Sequence, residues 1–142
     1  MASALPTSAD TALLALRPVL PTTLAVAPEP TAGDFLHRTL RPVLKLQNEL
    51  LLALVADFLR EHHVAFQARN EAEQLRTVTE LLSRNVKLRY TIIGVIIGLF
   101  TSSEQEFYRQ HRSELNRRLL ELATQRVSSQ LPALTAQLTG AA

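Results

Sequence analysis

The fold of this chain is decided by the run Tyr90-Thr-Ile-Ile-Gly-Val-Ile-Ile-Gly-Leu-Phe100, which contains no charged residue. Gly94 and Gly98 lie one helical turn apart within it, and charged segments flank it on both sides. An apolar run between charged, helix-patterned segments has to be covered by other atoms. What covers it is therefore the main clue to function.

Helical geometry gives this run two unlike sides. At about 100° per residue, its bulky residues occupy more than half of the circumference. Thr91, Gly94, Gly98 and Thr101 fall together on the remaining side. No polar face is left, so we expect the helix to be buried on every side. Four interpretations stay open: a core helix covered by the chain's own N-terminal segment, an interface with a second copy, a contact with lipid, or a buried strand.

Length and composition are typical of one globular domain. The chain has 142 residues, of which 46% are hydrophobic and 20% charged. The absence of cysteine excludes disulfides and thiolate metal sites, and it fits a reducing compartment. The first Lys or Arg is Arg17, so the positive segment that begins a secretory signal is missing. We expect a cytoplasmic protein, with association at a membrane surface as an alternative.

The N-terminal residues 1–33 are rich in Ala, Pro and Thr and are predicted to form an arm. A short helix capped by Asp10 and stopped by Pro18 is expected there, followed by a flexible, extended linker from Pro21 to Gly33. The sequence Leu-Arg-Pro-Val-Leu occurs at 16–20 and again at 40–44. This echo is too short to establish a repeat, and coincidence is favoured over a duplicated docking element.

Helical periodicity predicts three long helices after the arm. Asp34 is expected to cap the first, which bends at Pro42 and runs to about Ala68 with a coiled-coil-like seam. Asn70 is expected to cap the second, which continues through the apolar run. The Thr101-Ser-Ser-Glu104 capping box ends that helix near Phe100 and begins the third, which stops before Pro132.

These helices, of roughly 27, 30 and 28 residues, are joined by short turns, which force neighbouring helices to be antiparallel. The predicted fold is therefore all-α: an elongated antiparallel three-helix bundle over residues 34–132, with a short extra N-terminal helix. The residues 133–142 are small and polar, and we expect a disordered tail there.

No catalytic, metal-binding or cofactor-binding set can be named from the sequence. The histidines at 37, 62, 63 and 111 lack the spacing of a His-Glu-x-x-His or paired Glu-x-x-His motif. There is no glycine-rich phosphate loop and no Gly-x-Ser-x-Gly element. Acids alternate with the arginines of the last helix, which indicates a solvated face, so nucleic acid is not the expected partner.

The sequence therefore favours a non-enzymatic helical interaction or scaffold protein that self-associates through the segment 90–100. The expected interface residues are Thr91, Ile92, Ile93, Gly94, Ile96, Ile97, Gly98 and Phe100. As an alternative, the same segment would lie on a membrane surface, with Arg84, Lys87 and Arg89 contacting lipid headgroups or phosphate. At about 16 Å, this segment as a helix is too short to span a hydrocarbon core of about 30 Å. A small regulatory nucleic-acid-binding protein is a further alternative.

Overall fold

A computed structural model of the chain describes residues 8–19 and 31–140. Over this part of the chain the structure is helical and contains no strand, which confirms the all-α prediction. Most of the linker predicted from Pro21 to Gly33, residues 21–30, lies outside the described residues, and its last two residues, Ala32 and Gly33, are helical. The α-helices are α1 (Ser8–Leu16), α2 (Ala32–Phe35), α3 (Arg41–Leu46), α4 (Asn48–Glu61), α5 (Glu71–Arg84), α6 (Val86–Ile97), α7 (Ser102–Gln110), α8 (Arg112–Ser128) and α9 (Leu131–Gly140).

Each of the three predicted long helices is interrupted, so the elongated three-helix bundle is not confirmed. Asn85 shows the physical reason most clearly. Its backbone is extended, its N–H closes the end of α5, and its side-chain oxygen accepts the N–H of Leu88 in the first turn of α6. A short polar side chain that bonds to nearby backbone competes with helix continuation. Gln47 and His111 make the corresponding breaks between α3 and α4 and between α7 and α8.

Pro42 is accommodated by a π-helical turn, Leu36–Leu40, which joins α2 to α3. In this turn the N–H of Arg41 donates to the carbonyl of Leu36, five residues earlier. Because proline has no N–H and its ring crowds the carbonyl one turn back, a wider turn before it relieves both problems. The bend predicted at Pro42 is thus a local widening of a continuous helical segment.

The predicted helix starts are partly correct. Thr101 and Glu104 form the full reciprocal capping box of α7, and Asn70 caps α5 by accepting the N–H of Glu73. Asp34 was expected to cap its helix, but Thr31 does so, and Asp34 is the acidic partner that completes the box three residues later. The pattern Thr-x-x-Asp therefore places the helix start earlier than the sequence suggested.

The end of α4 and the C-terminal residues also differ from the predictions. The helix ends at Glu61, not near Ala68, because His63 adopts a left-handed backbone conformation with φ of 54°. Residues expected to form a disordered tail instead belong to α9, where Leu131 and Leu134 are buried. The tail prediction is therefore wrong for residues 133–140.

The chain divides into two compact units. The first unit comprises residues 1–47 and 94–119. At its centre Phe35 packs edge-on against Phe100 and stacks on Phe107, with ring centroids 5.4 and 4.9 Å apart. Its buried aliphatic core is formed by Leu40, Val43, Leu44, Ile96, Leu115 and Leu119.

The second unit comprises residues 48–93 and 120–142. Here α4 packs along α9, and the Arg60 guanidinium donates to the carbonyl of Gln137. Asn48 and Gln130 exchange side-chain amide hydrogen bonds of 2.9 and 2.8 Å. The buried core of this unit is formed by Leu51, Val55, Leu59, Phe66, Val78, Leu82, Ile92 and Leu134. In the described part of the chain, no helix is long and apolar enough to cross a membrane.

Candidate interaction site

Four bulky residues of the apolar run are buried inside this single chain, whereas Val95, Ile97 and Leu99 are partly exposed. Ile92 and Ile96 are completely inaccessible to solvent, and Ile93 and Phe100 are nearly so. These four residues were expected to supply the area of an interface, and that part of the prediction needs correction. They cannot contact a partner while the chain is folded.

The chain itself covers the C-terminal end of the run. Phe100 contacts the rings of Phe35 and Tyr108. The Gln47 side-chain amide donates to the Val95 carbonyl, and that of Gln105 donates to the Ile97 carbonyl at 2.5 Å. Carbonyls that α6 leaves without an intrahelical donor are thus partly satisfied from neighbouring segments. The chain's own residues therefore cover the buried part of the bulky side.

The opposite side of α6 is exposed, and we call it the α6 face. Val86 and Tyr90 are 62% and 68% exposed, although both are large hydrophobic residues. At about 100° per residue, the six residues that make up this face fall within an arc of about 140° around the helix axis. The α6 face consists of Val86, Lys87, Tyr90, Thr91, Gly94 and Gly98.

The two glycines of this face differ in what surrounds them. A methyl group added at Gly94 would meet no atom within 4 Å, so Gly94 borders open space. At Gly98 the added carbon would lie 3.1 Å from the Gly94 carbonyl oxygen, the same oxygen that accepts the Gly98 N–H at 3.0 Å. Packing within the chain therefore does not require glycine at position 94, whereas position 98 is crowded by its own helix.

The cations proposed for lipid or phosphate contacts lie before or at the start of the run. Arg84 and Lys87 are exposed, and Arg84 borders a surface cleft together with Arg69 and Thr77. Arg89 is partly buried, and its guanidinium donates to the Ser83 carbonyl at 3.2 Å. The three cations do not converge on a single point, since Arg89 is directed toward the end of α5.

Apart from the α6 face, a polar cluster joins α1 to the start of α7, and we call it the α1 junction. The Arg17 guanidinium makes two hydrogen bonds to the Glu104 carboxylate, at 2.7 and 2.5 Å, and donates to the Leu99 carbonyl at 3.0 Å. The Asp10 carboxylate accepts the Ser102 N–H at 2.8 Å. An acid at a helix N-terminus satisfies a free amide and complements the helix dipole.

Glu104 is the electrostatic centre of the α1 junction. Burial raises the pKa of its carboxyl, but the Arg17 guanidinium, the Thr101 N–H and the Thr39 hydroxyl together hold the pKa below its ordinary value. The Thr39 hydroxyl donates to the carboxylate at 2.8 Å. The carboxylate is thus held in its charged form by α1, by the π-helical turn and by its own capping box.

The sequence did not reveal the α1 junction. Asp10 was expected to cap its own helix, but it lies inside α1 and instead caps α7. A signal existed in the capping box Thr101–Glu104, because a glutamate that closes such a box can bind a cation with its second oxygen. Nothing in the sequence indicated that this cation would be Arg17.

No cluster suited to metal binding is found among the described residues. Groups of three or more His, Asp or Glu that could hold a metal ion are absent from this part of the chain. His62 stacks on Phe58 and His111 stacks on Phe107, each next to a helix end. Asp57 pairs with Arg60 at 2.7 Å.

Comparison with known proteins assigns no relationship. No protein-family model, no curated protein sequence and no solved structure shows significant similarity to this chain.

Proposed function

We propose that this chain is a non-enzymatic helical interaction protein that self-associates through the α6 face. The observation that carries the proposal is an exposed helical strip with large apolar residues at one end and glycines at the other. Val86 and Tyr90 are projections at one end, and Gly94 and Gly98 leave a shallow depression at the other. Small residues let a second helix approach closely, as in helix pairs with small residues one turn apart.

The spacing of these four residues is self-complementary in an antiparallel pair. If two copies of α6 meet with residue 92 at the two-fold axis, Tyr90 of each faces Gly94 of the other. In the same register Val86 of each faces Gly98 of the other. A two-fold interface uses the same surface on both partners, so every projection meets a depression. A parallel pair would instead place projection against projection.

Charge favours the same orientation. The cations near this strip, Arg84, Lys87 and Arg89, all lie at its N-terminal end, and no charged residue follows until Glu104. In a parallel pair, like charges would face each other directly. In an antiparallel pair, Lys87 lies beside the C-terminal end of the partner's α6, where the helix dipole is negative.

The alternative of lipid binding is less well supported by these residues. Tyr90 and Lys87 are an exposed aromatic residue and an exposed cation on one helix, as at a membrane surface. However, four of the large apolar residues that would enter the lipid are buried within the chain: Ile92, Ile93, Ile96 and Phe100. Flotation with anionic vesicles separates the two ideas, because recovery only in the soluble fraction would exclude the lipid alternative.

Orientation can be tested by cysteine cross-linking, because the chain has no cysteine of its own. In the antiparallel register, two copies of Thr91 lie close to the axis, whereas two copies of Lys87 are offset by about 15 Å along it. We expect Thr91→Cys to give a disulfide-linked dimer under mild oxidation and Lys87→Cys to stay unlinked. Efficient linking of Lys87→Cys would contradict the antiparallel arrangement. Failure of both variants to link would contradict self-association through this face.

A further inference from the structure

A surface cleft lies along α5 in the second compact unit, and we call it the α5 cleft. Its volume is about 340 Å³, at the small end of the range for ligand sites. The residues that line it are Arg69, Thr77, Glu80, Leu81, Arg84 and Asn85. None of them belongs to the α6 face. Self-association through that face therefore leaves this cleft without a role.

Local contacts hold the Arg69 side chain in place. Arg69 directly follows a 3₁₀ turn that begins at Phe66, a completely buried residue. The Gln74 side-chain amide donates to the Phe66 carbonyl at 3.0 Å, which ties this turn to α5. The Arg69 guanidinium donates to the Thr77 hydroxyl at 2.6 Å, and that hydroxyl donates to the Glu73 carbonyl at 2.8 Å. A cation that is fixed before a ligand arrives loses little conformational entropy on binding.

The charged groups of the α5 cleft do not neutralise one another. Glu80 and Arg84 have the spacing of a helical ion pair. Within the part of the chain that the structure describes, however, Arg69, Glu80 and Arg84 take part in no ion pair. Two arginines and one glutamate give the lining a net charge of +1. Guanidinium groups that no carboxylate satisfies are open to an anion from outside the chain.

Helical geometry brings the two guanidinium groups toward each other. Thr77, which holds Arg69, and Arg84 lie about 10 Å apart along the axis of α5. Side chains on a helix lean toward its N-terminus, so Arg84 leans over Leu81, and one turn of about 5 Å shortens the gap to about 5 Å. A phosphate group has three terminal oxygens for two guanidinium forks, whereas one fork already fills the two oxygens of a carboxylate. The pair therefore favours a phosphate monoester.

The rest of the lining suits a sugar better than a nucleoside base. The Glu80 carboxylate accepts hydrogen bonds from hydroxyl groups, and Leu81 supplies an apolar surface. The Asn85 amide is held in place because its oxygen accepts the Leu88 N–H at 3.0 Å. The lining contains no aromatic residue on which a base could stack. A carboxylate in the cleft repels phosphate alone, but it binds the hydroxyl groups of a phosphate ester that carries them.

We propose that the α5 cleft binds a sugar phosphate. Arg69 and Arg84 hold the phosphate group, and sugar hydroxyl groups donate to Glu80. The site does not depend on self-association, and it gives Arg84, one of the cations expected to contact lipid or phosphate, a soluble ligand. Both arginines are exposed, so the affinity is modest and falls as the salt concentration rises.

Nuclear magnetic resonance of the ¹⁵N-labelled full chain tests the site, with glucose 6-phosphate as the probe. The probe should shift the amide signals of residues 66–85 and should bind about 10-fold more tightly than inorganic phosphate or gluconate. Equal affinity for inorganic phosphate would overturn the assignment of a sugar, and equal affinity for gluconate would overturn the assignment of a phosphate. Absence of any shift in residues 66–85 at millimolar concentrations of the probe would overturn the site itself.

Variants separate this site from a general effect of charge. Arg69→Gln and Arg84→Gln should each raise the dissociation constant of glucose 6-phosphate at least about 10-fold, because each removes a charge-assisted contact. Arg41→Gln is the matched control, since it removes an equal charge at an exposed position of α3 and should leave the constant unchanged. Equal weakening by all three variants would overturn the site. Glu80→Gln should lower the preference for glucose 6-phosphate over inorganic phosphate severalfold, and an unchanged preference would contradict the role of this carboxylate.

Discussion

Replacing Gly94 by alanine should change stability and self-association in opposite directions. In the single chain, the added methyl group meets no atom within 4 Å, so no steric cost arises. Alanine in a helix interior is more favourable than glycine by about 1 kcal/mol. For a chain of this length we expect the melting temperature of the monomer to rise by about 3–4 °C.

In the antiparallel pair, the same methyl group occupies the space that Tyr90 of the partner needs. Overpacking at a tight contact costs about 1–3 kcal/mol, and a two-fold interface contains the contact twice. The dimer dissociation constant should therefore rise by at least about 10-fold, since each 1.4 kcal/mol corresponds to a factor of 10. Sedimentation equilibrium measures this constant, and circular dichroism of dilute samples measures the melting temperature.

Ser83→Ala is the matched control, because Ser83 is an exposed helical residue of α5 outside the α6 face. It should leave the dissociation constant unchanged while raising helix propensity slightly. If Gly94→Ala stabilises the monomer but leaves the dissociation constant equal to that of the wild type, Gly94 is not at a close contact. The proposed register would then be wrong.

Three further outcomes are expected. The pKa of Glu104 is lowered in the folded chain. Its contribution to stability is therefore present above the ordinary carboxyl pKa and is lost as the pH falls through the pKa of the folded state. Glu104→Gln should flatten this part of the profile of unfolding free energy against pH. Leu134→Ala should destabilise the chain by about 2–4 kcal/mol in urea unfolding, whereas Leu75→Ala at an exposed position should change it by less than about 0.5 kcal/mol. Thr101→Ala removes the cap of α7 and should cost about 1 kcal/mol, and an unchanged unfolding midpoint would argue against that cap.

Local signals in the sequence were sufficient to predict the all-α class and the residues that cap some of the helices. The capping residues Asn70 and Thr101 act through atoms only three residues away, so their pattern is visible without the fold. The breaks at Gln47 and Asn85 were not predicted, because apolar periodicity continues across both positions. At Asn85, a side chain that accepts the N–H of Leu88 outweighs this periodicity locally.

The candidate site was only half visible in the sequence. Angular geometry correctly separated the small side, with Gly94 and Gly98, from the bulky side of the run. It did not show that the chain itself covers the bulky side, because that depends on Phe35, which lies far away in the sequence. The α1 junction was missed for the same reason, since Asp10 and Ser102 are separated by 92 positions.

The central claim is that the α6 face joins two copies of the chain, and solution mass tests it most directly. Light scattering after size exclusion should give the wild type twice the 15.8 kDa mass of one chain. Gly94→Leu, which fits the open space beside the isolated helix but fills the depression, should give the mass of one chain with unchanged helix content. A wild type that stays at 15.8 kDa at every concentration, or a Gly94→Leu variant that keeps the wild-type mass, would contradict the claim.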